Sequence, residues 1–318
     1  MPTAIAQGSR IRTNTPAENA YNALQAASNN IALRQLRLST GKRINTAADD
    51  VAGYITSRAL QARNGALKKA LLAAGEAMNV TSIAQDALDN ITNLLTQIKD
   101  AAAQASTGAL GTAEKVALAK ASYRLAQQIQ FVVDSTVFGG KQLLWGNYSG
   151  TWAIGFFADN TILSIGVDLT TGNTDFNVAS NNFNLNAISG ATSPAGHATN
   201  FAGVSGLDLE SLNSVSESNL GIFATSVIAT TLTSLAMAID NVNKVAAYLG
   251  GIQNRISSHE ELLKSQITNY NAAISRIEDA DVAQEQLELI KQQFLLQASL
   301  ISLTQANQQP QAFLQLFR

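Results

Sequence analysis

The chain contains no cysteine, which removes both a disulfide framework and any thiolate chemistry. Stability outside a cell would therefore have to come from packing or assembly. Prolines number 4 and aromatic residues make up 6% of the chain, so long helices can run uninterrupted while the aromatic lining usual in a catalytic pocket is thin. Histidine occurs only as His197 and His259, which leaves little for acid–base or metal chemistry. No run approaches about 18 uncharged apolar residues, so no membrane span is expected. The opening stretch "MPTAIAQGSRIRTNTPAENAYNALQAASNN" lacks the basic start and continuous apolar core of a secretory signal, and any export is expected to use another route.

Cations are missing as well, but only locally. Between Lys141 and Lys244 there is no lysine or arginine. A surface with acids and no cations cannot grip phosphates, which excludes nucleic-acid binding there. Residues 1–70 instead hold ten Lys/Arg against three acids, Glu18, Asp49 and Asp50, whereas from Lys244 onward six cations face seven acids. A basic N-terminal part is also the footprint of a nucleic-acid binder. Here no aromatics interleave with the charges, and pairing with acidic helices of the same protein accounts for them better.

What the chain does contain is helical patterning, within a hydrophobic fraction of 46%. Residues 20–38 place Leu24, Ile31 and Leu38 at sevens, an amphipathic helix. After "LSTGKRINTAADDVAGY", where Thr46 or Asn45 is expected to cap a new helix with Asp49 and Asp50 in its first turn, helical signals run from Ala59 to about Ser106. A further helix is expected from about Thr112 to Asp134. "TWAIGFFADNTILSIGV" then alternates about a polar turn, a hairpin signature. Residues 168–225 are rich in Asn, Ser, Thr and Gly and read as a small β or irregular insertion. From about Ser226 helix returns, and Val242, Leu249, Ile256, Leu263, Tyr270 and Ile277 recur every seven residues, which predicts a coiled-coil-like helix roughly 50 Å long over that stretch. The fold class is therefore mainly α: a long coiled-coil-like helical rod with a β-hairpin and a small β-rich or irregular outer insertion. Helices at both ends carry broad apolar stripes and few local anchors, and such helices need partners.

Catalytic motifs do not emerge. "HEELLK" at His259 begins like a zinc-binding helix, but the residue four positions on is Leu263 and the second ligand is missing. His197 sits in "SPAGHATN" with no partner nearby in sequence. No nucleophile elbow, phosphate loop or dinucleotide fingerprint occurs, so no enzyme activity, cofactor or metal is expected. The sharpest chemical candidate is "SRIEDADVAQE", with Glu278, Asp279, Asp281 and Glu285. Calcium wants six to eight oxygens on a loop with a glycine turn. This segment has helical propensity and no such glycine, so a partner-pairing or helix-capping face is the stronger reading. "NYS" at Asn147 is an N-glycosylation triplet, and the Ser/Thr-rich residues 169–218 are an equal candidate for sugars.

"LSTGKRINTAADDVAGYITSRALQAR", "VFGGKQLL" and "NRISS…SRIEDADVAQE…ASLISLTQANQQPQAFLQLFR" together, in this order, resemble bacterial flagellin over roughly residues 11–168 and 226–318. The resemblance implies terminal helical filament-core arms at 11–43 and 282–318, and a joint at 44–57 and 278–281. It further implies a helical rod with a β-hairpin at 58–168 and 226–277, and a variable outer domain at 169–225. Leu24, Ile31, Leu38, Leu287, Ile290, Phe294, Ile301 and Phe313 are the expected polymerisation interface. Asn45, Asp49, Asp50, Arg276, Glu278, Asp279 and Asp281 are expected to cap and orient helices at the joint, facing Arg34, Arg37, Lys42 and Arg43 of the same or a neighbouring subunit. The implied function is a structural subunit of the extracellular flagellar filament for motility, secreted by type III export. The implied partners are other copies, an export chaperone on the C-terminal helix, and hook-associated and cap proteins, with no nucleic acid. A hook–filament junction protein and a flagellin-like surface protein that binds a polysaccharide are the rival readings. Trp145 stands where the family commonly has an acid. Gln97 and Ala101 stand where many members carry the Arg and Leu used by an innate immune receptor.

Overall fold

The computed structural model describes residues 13–156, 162–176, 178, 183–186, 188 and 201–316, with side chains other than those of 156 and 309–316. Two compact units divide it: the residues up to Gly65 together with those from Ile267 onward, and Ala66–Gln266.

In the first unit, α1 (Thr15–Thr40) is capped by Asn14, whose Oδ1 accepts from the Ala17 N–H at 3.2 Å, and Pro16 occupies its first turn. It stops at Gly41, whose φ of 69° is the left-handed conformation glycine adopts without strain. The C-terminal helix α5 (Val282–Leu316) runs antiparallel to α1. At one end Asn14 Nδ2 donates to the Ala306 carbonyl at 2.8 Å, and at the other Arg34 and Arg37 reach Glu285. Ala20, Ala27 and Ala306 are buried, and such small side chains let the two backbones approach closely.

The second unit is a bundle built on two heptad seams. Helix α2 (Val51–Ser106) buries Ala70, Ala74, Ala77, Thr81, Ala84, Leu88, Ile91, Leu95, Ile98, Ala102 and Ala105, spaced alternately by four and three residues without a miss. The hydroxyl of Thr81 is absorbed by the carbonyls of Met78 and Ala77 at 2.9 and 3.1 Å, so the polar member of the seam is satisfied. Helix α3 (Thr112–Ser135) adds Ala119, Ala126, Ile129 and Val133. Helix α4 (Ile228–Glu278) adds Leu235, Ala238, Val242, Val245, Leu249, Ile252, Ile256 and Leu263. The expected heptad is thus buried through Leu263, while Tyr270 and Ile277 are half-buried.

Two hairpins follow α3. The short one, β1 (Val137–Phe138) with β2 (Lys141–Gln142), turns through Gly139 and Gly140, both at positive φ. The longer pairs β3 (Ser149–Phe156) with β4 (Ile162–Asp168), with an irregularity between Ala153 and Gly155. Its connecting turn lies outside the described residues. Ile154, Ile165 and Val167 face the core. The described parts of 169–225 are irregular, with short 3-10 turns at Thr174–Phe176, Glu210–Ser214 and Gly221–Phe223. Phe176, Leu185, Phe201, Leu207, Leu212 and Phe223 nonetheless join the same buried cluster as the helices, so this stretch seats on the bundle.

The helix starts differ from expectation at one point. No helix begins at Asn45 or Thr46; α2 begins at Val51, and Asp50 is its cap, with Oδ1 accepting from the Gly53 N–H at 2.9 Å. Residues Thr46–Asp49 close a turn instead, because the Asp49 carboxylate draws the amides of Asn45 and Thr46 onto itself.

Buried Asn241 on α4 donates from Nδ2 to the Ala202 carbonyl at 2.9 Å, and Ala202 holds a φ of 52° that alanine rarely adopts. Asn241→Ala leaves that buried carbonyl without its donor and should destabilise the unit by about 1–3 kcal/mol. Urea denaturation of the full chain, with limited proteolysis to detect release of the 201–225 stretch, checks this.

Candidate functional site

The joint is built where the chain leaves α1 and α4. The Ala280 N–H donates to the Gly41 carbonyl at 2.9 Å, and the Arg43 N–H donates to the Glu278 carbonyl at 2.7 Å. Lys42 and Asp279 form an antiparallel bridge between them. Two segments more than two hundred residues apart in sequence thus share backbone hydrogen bonds.

Side chains reinforce that bridge. Glu278, 5% exposed, takes Lys42 Nζ at 2.6 Å on one oxygen and a short hydrogen bond from the Gln61 amide on the other. Glu285, 6% exposed, is gripped by Arg34 at 2.7 Å and Arg37 at 3.2 Å. Taking a carboxylate out of water costs several kcal/mol unless cations and donors replace its hydration, and both acids have that replacement. Their oxygens are committed to these partners, so the cluster acts as an electrostatic brace and not as a ligand cage.

The remaining acids terminate helices and turns. Asp281 caps α5, its Oδ1 accepting from Ala283 and Gln284 amides at 2.9 and 3.3 Å. Asp50 caps α2 and lies 3.9 Å from Arg43. Asp49 accepts from the amides of Thr46 and Asn45 at 2.9 and 3.0 Å, and these backbone donors hold its carboxyl below the ordinary aspartate range. The Asn45 amide group donates to the Lys42 carbonyl at 3.1 Å. Asp279 contributes backbone: its N–H donates to Ser275. Arg276 is exposed in the last turn of α4, where its charge suits the helix dipole, and makes no ion pair among the described residues. Gly53 is required by this arrangement, since a Cβ there would stand 2.5 Å from Asp50 Oδ2 and 2.6 Å from Ile44 Cδ1.

Arg34, Arg37 and Lys42, expected to meet acids of the same or a neighbouring subunit, meet them within the chain. Sequence reasoning missed the weight of Glu285, although its place one turn after Asp281 was a usable signal. It had no means of finding Gln61, or the Asn64–Asn271 amide pair at 2.6 Å, because those pairings exist only across helices.

The apolar residues of the arms fall into two classes. Leu24, Ile31 and Leu38 are half-buried, one turn from Ala20 and Ala27 on the side of α1 that meets α5. On α5, Leu287 is 65%, Phe294 66% and Ile301 70% exposed, and Ile290 is also open. Leu287, Ile290, Phe294, Leu295 and Ala298 line one continuous apolar groove with Lys291. Helix α5 is apolar on both sides, and α1 covers only one. The side chain of Phe313 and the whole of His197 lie outside the described residues.

Glu285→Ala should remove about 3–5 kcal/mol from the α1–α5 pairing, because two guanidinium groups then lose their buried counter-charge; faster amide exchange confined to the two arms is the expected readout. A lowered Asp49 pKa means that its contribution is complete above the ordinary aspartate value and is lost as pH falls through the folded value. The amides of Asn45 and Thr46 should therefore lose protection on acidification, and Asp49→Asn should abolish that pH dependence in an NMR titration.

Residues 11–149 match the bacterial flagellin N-terminal helical region, and residues 232–317 match the bacterial flagellin C-terminal helical region. The chain is 30% identical over 315 residues to the flagellin of Bacillus subtilis (strain 168), an alignment that spans 97% of this chain and 100% of that one. It is 28% identical over 312 residues to the flagellin of Halalkalibacterium halodurans, spanning 97% and 99%. In fold it is similar to a flagellar hook-associated protein from Vibrio parahaemolyticus, with a TM-score of 0.54 at 12% identity over 73% of this chain and 100% of that one.

Proposed function

The chain belongs to the bacterial flagellin family, and from that premise we propose how its ends and its joint build a filament. It is a structural subunit of the flagellar filament, serves motility by assembling with copies of itself, and is not an enzyme. Residues 11–43 and 282–318 form the arms at the filament core, 44–57 and 278–281 the joint, and 58–168 with 226–277 the rod. Residues 169–225 form the outward layer, seated on the rod.

The observation that carries this reading is the bare side of α5. Each large side chain there gains about 1.5–3 kcal/mol on leaving water, and the gain is repeated at every subunit of a growing polymer. Leu287, Ile290, Phe294, Ile301 and Phe313 bury against neighbouring copies, while Leu24, Ile31 and Leu38 hold the α1–α5 pair that presents them. Asn45, Asp49, Asp50, Glu278, Asp279 and Asp281 fix the direction in which the arms leave the rod, and Arg276 supports the end of α4. Before assembly the same apolar side of α5 is the natural seat for an export chaperone. In the mature extracellular filament its ends meet hook-associated and cap proteins.

The likeness to a hook-associated protein keeps a junction role as the second reading, although end-to-end alignment with two flagellins favours the filament subunit. Deleting 282–318 should leave a soluble rod that forms no filaments, and Leu287→Ser with Phe294→Ser should depress assembly without lowering the unfolding midpoint of the rod. Electron microscopy of purified protein checks both; abundant filaments from the truncated chain would refute the arm mechanism, and single rings that never elongate would favour the junction.

A further inference from the structure

The charges of the Ala66–Gln266 unit are used differently from those of the joint. Lys244 pairs with Asp240 at 2.8 Å and Lys264 with Glu260 at 3.2 Å, each within one turn of α4, so neither pair ties one element to another. Between these pairs α4 carries a shallow groove lined by Gly251, Asn254, Arg255, Ser258, His259 and Leu262. Arg255 is exposed, has no ion-pair partner among the described residues, and stands near Leu262, itself 51% exposed. Gly250 and Gly251 weaken the middle of a helix, yet a Cβ on either would meet nothing within 4 Å. The chain's own packing does not require them.

The complementary charge lies in the stretch without cations. There Asp168 and Asp208 cap turns, and Glu210 accepts from Tyr123 at 3.3 Å. Asp175 and Glu217 are exposed, and their carboxylates have no ion-pair partner among the described residues. Acids with no cation anywhere in their own segment and a cationic groove with no acid form a matched pair only when two molecules meet.

We propose that in the filament the α4 groove receives the cation-free surface of a second copy, with Asp175 and Glu217 supplying carboxylates to Arg255. This rests on the reading of the chain as a filament subunit, and adds a rod-to-rod contact to the one made by the arms. Such a contact uses two different patches, so it propagates from copy to copy. The missing side chain at Gly251 admits the neighbour's backbone, Leu262 supplies an apolar flank, and the charges set register and association rate. Because charges at an interface rim are screened over about 8 Å at physiological salt, the contact weakens as salt rises.

Elongation from sheared filament seeds, followed by light scattering, tests this with the wild type, Arg255→Glu, Gly251→Leu, and Arg255→Glu combined with Asp175→Lys and Glu217→Lys. The wild type should elongate more slowly as NaCl increases. Each single variant should elongate roughly ten-fold more slowly at low salt while its monomer keeps the wild-type helical signal and unfolding midpoint. The combined variant should recover most of the rate. Wild-type rates in Arg255→Glu, or no recovery in the combined variant, overturn the contact while leaving the filament reading intact. A wild-type chain that never elongates overturns the filament reading and this contact with it.

Discussion

A 35-residue helix that is apolar on both sides cannot rest in water with only one of them covered. Helix α1 hides one side of α5 through an antiparallel seam of alanines and half-buried leucine and isoleucine. The other side presents Leu287, Phe294 and Ile301 to solvent. The rest of the molecule is arranged so that this exposed strip is held at a defined angle and can be buried by a neighbour. Polymerisation is therefore a delayed completion of the fold, in which the last portion of the hydrophobic core is supplied by other copies.

That angle depends on electrostatics in a place where water is largely absent. Glu278 and Glu285 are buried on successive helices, and each is neutralised by cations from the opposite end of the chain. Isolated, either acid would be strongly destabilising; paired, they make the junction of the arms directional, because a cation and a backbone bridge have far narrower geometry than an apolar contact. The joint and the rod thus divide the work: the rod is apolar, regular and heptad-spaced, whereas the joint is polar, irregular and specific.

The rod is also where charge is conspicuously unspent. Its ion pairs link residues a single turn apart on α4, and the stretch between Lys141 and Lys244 carries acids alone. A monomer has no use for charges of one sign collected in one region, while a stacked assembly does. Asn241 serves the same end by holding the irregular stretch around Ala202 against α4, so that its acids stand on a firm base.

Periodicity in the amino-acid sequence was enough to read the long helices, the hairpin and the heptad on α4 from Val242 to Leu263, because a buried seam repeats every seven residues whatever it packs against. Composition alone spoke against phosphate binding and thiol chemistry. Helix ends were less legible. Asn45 and Thr46 have capping chemistry as good as that of Asp50, and the choice fell to Asp50 only because the Asp49 carboxylate had already claimed their amides. Which side of α5 would be covered, which cation would meet Glu285, and that Gln61 and Asn271 mattered at all were decided by tertiary structure. These depend on residues more than two hundred positions apart being brought within hydrogen-bond range, and local spacing carries no record of such a meeting.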